Sequence, residues 1–173
     1  MALGFLTSEL SRWDALAAAP GGGPELLALP FFSDERPLRG AAGLADWRMC
    51  GRLSRLLSSG RVAGEFGETT LLPGAKLPFP RLLLFGLGES TRFDEPRFTE
   101  AARALRKVVG QLGASRWALP LPGRSTGVVR ARRALELWMA AGDGGGEVTL
   151  IDAPAGQKEM SEGMVRGPQR TGR

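Results

Sequence analysis

The residues best placed to do chemistry in this sequence lie in two glycine-bearing loops. Residues 122–127 read PGRSTG and separate an apolar run (117–121, WALPL) from an amphipathic stretch (128–141). A strand–loop–helix passage points backbone N–H groups from a helix start, where they can hold a phosphate, and glycine lets the ligand approach. The candidate ligand residues are therefore Gly123, Arg124, Ser125, Thr126 and Gly127, with Arg124 supplying charge and the two hydroxyls supplying donors. The plainer reading is that Ser125 or Thr126 caps the following helix and the glycines make the turn. Gly86 and Gly88, followed by Ser90 and Thr91, end a second apolar run at 81–87. Ligands of α/β proteins gather at such strand ends. The stretch is not a full GxGxxG, because Thr91 stands where the third glycine would be, and no Gly-Lys-Ser/Thr follows. An ordinary strand–helix loop is the plain alternative.

Much other chemistry is excluded by residue type. The 173 residues contain no histidine, asparagine or tyrosine, and Cys50 is the single cysteine. A structural zinc site needs four Cys or His ligands, and a Ser-His-Asp or Cys-His nucleophile needs a histidine. A carboxylate-only metal site remains, but no tight acidic cluster offers one. No catalytic residue, metal or cofactor is expected. Cys50 has no disulfide partner and is expected to be a small buried hydrophobe inside a helix. The first 20 residues lack a basic leader and are interrupted by Glu9, Arg12 and Asp14, which argues against a signal peptide. No apolar run reaches the ~18 residues of a membrane span. The expected setting is cytoplasmic, without membrane contact.

The formal net charge is +5, and all but three of the 23 basic residues are arginine. Arg130, Arg132 and Arg133 cluster in one amphipathic stretch; Arg103, Arg106 and Lys107 cluster in another. Together they could neutralise phosphates. Against this, such charges commonly form a solvated helix surface, here with Glu100 and Glu136 as partners. No RNA-binding aromatic signature or helix-turn-helix accompanies them, so nucleic acid is the lesser expectation. Among the tryptophans, Trp117 and Trp138 fall on core-facing positions. Trp47 lies off its helix's apolar stripe and Trp13 sits in a weakly patterned segment, so either is a candidate exposed contact. The expected interaction surface comprises Trp47, Arg103, Arg106, Arg130 and Arg133.

The elements that must position these residues alternate. Short apolar runs at 3–6, 25–32, 81–87, 117–121 and 147–151 read as strands, with a β-leaning stretch at 68–72 closed by Pro73 and Gly74. Pro30 places the second strand at an edge or brings it to its end. Residues 8–16 predict a short helix. Residues 40–59 predict one helix, with Leu38, Ala42, Ala45, Met49, Leu53 and Leu56 at spacings of three and four and Gly60 as its stop. The cleanest helix runs from Asp94 and Pro96 to Gly113, with Phe98, Ala101, Ala102, Leu105, Val108, Val109 and Leu112 on one face. A second buries Val128, Ala131, Ala134, Leu135, Trp138 and Met139. This alternation predicts an α/β fold, a parallel or mixed sheet between helix layers. From Ala153 the chain turns Gly-, Pro- and charge-rich, so residues 1–152 are expected to form the domain and 153–173 a mobile basic tail.

Three segments, in order, resemble the N-terminal domain of leucyl (cytosol) aminopeptidases. They are GEFGETTLLP (64–73) after a basic turn at Arg61, RLLLFGLG (81–88) before a long Ala/Arg-rich helix, and WALPLPG (117–123). Upstream, LALPFFSDERPLR (27–39) sits where that family has a strand and an acidic turn. The resemblance covers about residues 3–152 and implies a three-layer, macro-domain-like α/β sandwich with a mixed, mostly parallel sheet. It also implies a scaffold for oligomer contact and regulation. The family's metals, catalytic Lys and Arg, and NTDAEGR signature belong to a C-terminal domain that has no counterpart in this sequence. The expectation is a non-catalytic interaction module with a protein partner or a second copy of itself. Residues 123–127 also resemble the STG loop of macro domains, so the alternatives are a nucleotide or ADP-ribose binder and a DNA-binding regulator. The Asn-containing adenosine-side loop of macro domains is absent.

Overall fold

The structure is a computed structural model and describes residues 2–142 and 145–166. Six strands form one sheet: β1 (Ala2–Thr7), β2 (Leu26–Phe31), β3 (Thr69–Pro73), β4 (Arg81–Gly86), β5 (Arg116–Leu119) and β6 (Glu147–Asp152), in the order β1-β6-β5-β2-β4-β3. Every pairing is parallel except β3 with β4. Parallel strands need covered faces, and the strand residues divide between two cores. Leu26, Ala28, Leu83, Phe85, Trp117, Leu119, Val148 and Leu150 pack on one side. They meet α4 (Glu95–Gln111), α5 (Ala131–Ala140) and α6 (Pro154–Arg166). Leu27, Leu29, Phe31, Leu82, Leu84, Ala118 and Ile151 point the other way, against α1 (Leu10–Ala17), α2 (Gly40–Arg48) and α3 (Arg52–Ser58). The expected three-layer α/β sandwich is the fold observed.

Several sequence expectations need correction. β2 is central rather than an edge strand, and Pro30 stands at its end, the other of the two alternatives. Its last pair with β5 is Leu27 with Ala118, so Pro30 falls where no ladder bond to β5 is needed. The predicted helix at 40–59 is two helices. Cys50 (φ 55°) and Gly51 (φ 75°) are both left-handed, and Asp46 Oδ1 accepts the N–H groups of Leu53 (2.8 Å) and Ser54 (3.1 Å) to cap α3. The apolar spacing kept its phase across this turn, so periodicity alone could not reveal it. Cys50 is accordingly exposed, not buried in a helix. It is expected to titrate with a disulfide reagent as one full equivalent in the native protein; a thiol reacting only in denaturant would restore the buried reading.

The expected mobile tail is, over its first part, helix α6. Pro154 opens it, and Met160 is fully buried in the core beneath α5. The glycines that lent this stretch a disordered composition are points of close approach. A Cβ on Gly156 would meet the Asp152 carboxylate, and one on Gly163 the Arg132 side chain. The remainder of the predicted tail, 167–173, lies outside the described residues. Trp13 is fully buried, edge-on to Phe79, with Nε1 donating to Thr7 O, so it is no contact patch. Val128 and Met139 are exposed rather than inward, and Leu137 takes the buried place.

Candidate functional site

The carboxyl ends of β2, β4, β5 and β6 form one crest, and both candidate loops lie on it. The 122–127 loop is a run of turns that ends before α5, whose N-cap is Arg130 without a side-chain cap bond. Neither Ser125 nor Thr126 therefore caps α5, and the helix start is not part of this loop. Ser125 Oγ instead donates to Glu35 Oε2 at 3.0 Å. Arg124 is turned inward. Nε and Nη2 reach the Asp152 carboxylate at 2.7 and 3.1 Å, and Nη1 donates to Val129 O at 2.7 Å. Gly123 has φ 75°, and a Cβ there would crowd the Phe93 ring and Val129. Gly127, also left-handed, is exposed. Thr126 Oγ1 is buried and has no hydrogen-bond partner among the described residues.

The Gly86–Gly88 turn is occupied by the chain itself. Gly86 N–H donates to Glu68 O (2.8 Å), Gly67 N–H to Gly86 O (3.0 Å) and Gly88 N–H to Gly64 O (2.9 Å). The 63–68 loop that covers it is gathered by the Glu68 carboxylate, which accepts from the N–H groups of Ala63, Gly64 and Glu65. These glycines serve a close approach of backbone to backbone, and their polar groups are already paired.

Acidic residues that sequence reasoning left in a turn organise the crest. Glu35 is only 4% exposed. Its carboxylate accepts from Phe32 N–H (3.3 Å), Arg39 N–H (2.9 Å) and the Ser125 hydroxyl. Next to it, Asp34 accepts from the Ser90 hydroxyl (2.5 Å) and Ser90 N–H (3.0 Å). Those two bonds, the hydroxyl first, hold the Asp34 carboxyl below the usual carboxylate range. A depressed folded pKa stabilises above the unfolded value, and that contribution is lost as pH falls through the folded one. Ser90→Ala is therefore expected to move the Asp34 titration upward, read by NMR of the side-chain carboxyl. An unmoved midpoint would mean that the hydroxyl does not bond to it.

The predicted basic face does not assemble. Arg106 is buried, with its guanidinium 3.9 Å from the centre of the Trp138 ring and Nη2 donating to Trp138 O. Arg133 bridges Glu95 (2.6 Å) and Glu136 (3.1 Å); these bonds raise the Arg133 pKa and lower those of both glutamates. Arg132 also pairs with Glu136, whereas Glu100 pairs with Arg97. Arg103 is exposed, with Nε directed at Ala141 O. Arg130 is exposed at the start of α5. Trp47, at the far end of α2, is 74% exposed. Among the described residues, no group of three or more His, Cys, Asp or Glu side chains is arranged to hold a metal ion. Among them, too, no helix is long and apolar enough to cross a membrane.

The fold defined by these layers is that of macrodomains. The Trypanosoma brucei macrodomain, solved in complex with ADP, is similar with a TM-score of 0.66 at 13% identity, over 94% of this chain and 69% of its own. A tomato leucine aminopeptidase mutant is similar with a TM-score of 0.60 at 14% identity, over 95% of this chain and 35% of its own. Those likenesses are of fold alone.

Sequence comparison is more specific. Residues 28–139 match the cytosol aminopeptidase family, N-terminal domain, and the chain belongs to that family. A probable cytosol aminopeptidase of Stenotrophomonas maltophilia (strain K279a) is 36% identical over 108 residues, which is 58% of this chain and 20% of the relative. One from Xanthomonas oryzae pv. oryzae (strain MAFF 311018) is 36% identical over 113 residues, 61% of this chain and 21% of the relative. The chain thus spans about a fifth of the length of the curated relatives it matches.

Proposed function

We propose that this domain is a non-catalytic, cytoplasmic interaction module that docks on a protein surface, a second copy of itself or an aminopeptidase partner. The observation that carries this reading is Trp47. Trp13, Trp117 and Trp138 are fully buried, while Trp47 stands on α2 with three-quarters of its surface in water. Tryptophan combines a large apolar body with an N–H donor, and it is enriched among the residues that dominate interface energetics. The crest supports the same reading from the other side: Arg124 is committed to Asp152, and the 63–68 loop fills the space over Gly86. A phosphate arriving there would meet the Asp34 and Glu35 carboxylates alongside Arg36 and Arg39, a lining with no net positive charge. Light scattering coupled to size exclusion tests the proposal. The wild type is expected to form a defined assembly or hold its aminopeptidase partner. Trp47→Ser is expected to shift toward monomer with stability changed by less than about 0.5 kcal/mol, as for an exposed side chain. Unchanged assembly in a folded Trp47→Ser variant would remove Trp47 from the interface.

A further inference from the structure

One cavity on the crest, of about 300 Å³, lies between the β2–α2 turn, the 3₁₀ turn at Ser90–Arg92 and the 122–127 turns. Asp34, Arg36, Arg39, Ser90, Thr126 and Val128 line it, with Glu35 beneath. Its charges are two carboxylates and two guanidiniums, so the lining is neutral overall while presenting both signs. Glu35 is consumed by its three donors. The Asp34 carboxylate accepts from Ser90 and from its own backbone N–H, and neither Arg36 nor Arg39 forms an ion pair with a described carboxylate. The Arg39 guanidinium has no hydrogen-bond partner among the described residues; Arg36 Nη1 donates only to Glu35 O. Two cations and one anion therefore face the same small space, with no ion pair formed between them. The buried, unpartnered hydroxyl of Thr126 lies in the same wall.

We propose that this cavity binds a small zwitterion of the α-amino-acid type, its carboxylate held by Arg39 and Arg36 and its ammonium by Asp34. A guanidinium matches a carboxylate in a planar, two-point fashion, and an ammonium takes an ionised carboxylate as acceptor. The volume sits at the lower end of ligand pockets, which suits a molecule of this size rather than a dinucleotide. A neutral lining with both signs favours a ligand with no net charge over a phosphate, which Asp34 and Glu35 repel. Val128, the exposed apolar side chain in the wall, makes an aliphatic ligand side chain the better fit.

Thermal shift and calorimetric titration with L-valine test this, because a ligand that binds only the native state raises Tm with concentration. L-Valine is expected to bind saturably. N-acetyl-L-valine, which lacks the ammonium, and L-valinamide, which lacks the carboxylate, are each expected to bind at least about tenfold more weakly. Asp34→Asn and Arg39→Gln alter exposed side chains, so the fold is expected to survive while each loses about tenfold in L-valine affinity. The proposal is overturned if L-valine gives no saturable response at millimolar concentration, if the two blocked analogues bind as well as L-valine, or if inorganic phosphate binds in its place.

Discussion

Replacing Arg124 with Met is expected to destabilise the fold by about 3–5 kcal/mol, the cost of removing one partner from a buried ion pair. The side chains of Arg124 and Asp152 are only 16% and 7% exposed. Met retains the apolar stem but leaves the carboxylate, among the described residues, with a single remaining N–H donor, that of Ala153 at 2.8 Å. The first turn of α6 presses on the pair so closely that a Cβ on Gly156 would lie 2.3 Å from Asp152 Oδ1. The same guanidinium holds Val129 O and so ties the 122–129 segment to β6. Domains of this size are stable by roughly 5–15 kcal/mol, so chemical denaturation should show the loss as a large drop in midpoint. Adding Asp152→Asn to the variant removes the stranded charge, and a double-mutant cycle is expected to return a favourable coupling for the pair. If Arg124 were instead held ready for a phosphate, Arg124→Met would leave the ligand-free protein's stability within about 0.5 kcal/mol of wild type. That result would restore residues 123–127 as a ligand loop.

The contrast between the Arg124 expectation and its outcome shows which part of this protein was legible. Strands and layers were, because alternation in β2, β4, β5 and β6 writes both cores into the sequence, one residue to each side. Segment order pointed to the family for the same reason, since GEFGETTLLP and RLLLFGLG encode a loop and the strand it covers. What stayed hidden were events that keep hydrophobic phase or depend on a distant partner. The break at Cys50 and Gly51 preserves the apolar stripe from α2 into α3. Arg106 sits among charged neighbours in α4, and only the position of Trp138, 32 residues on, shows that it is buried. Arg124, Ser125 and Gly86 were placed at strand ends, but what they bond to was not legible. Their partners Asp152, Glu35 and the 63–68 loop come from three other segments. The one local hint was the pair Asp34-Glu35, acidic residues directly after a strand, where side-chain carboxylates commonly tie a turn together.

Gly86→Ala is expected to cost about 3 kcal/mol or more, because it overpacks a site that cannot give and breaks hydrogen bonds worth about 1 kcal/mol each. A Cβ at this last residue of β4 would stand 2.1 Å from Glu65 O and 2.6 Å from Gly64 C, both backbone atoms. The 63–68 loop cannot simply retreat. The Glu68 carboxylate gathers its N–H groups, and Gly86 itself both donates to Glu68 O and accepts from Gly67. β4 cannot shift either, since it is held in register by β2 on one side and β3 on the other. Gly110 provides the control of opposite sign. It lies in α4, is exposed, and has nothing within 4 Å of the point where an alanine methyl would stand. Gly110→Ala is therefore expected to stabilise by about 0.5–1 kcal/mol through helix propensity. Thermal unfolding of the two variants side by side separates a general tolerance for alanine from the specific closure of the crest. Should Gly86→Ala unfold no earlier than wild type, the 63–68 loop is not seated on the strand end, and the turn at Gly86 and Gly88 is open to a ligand.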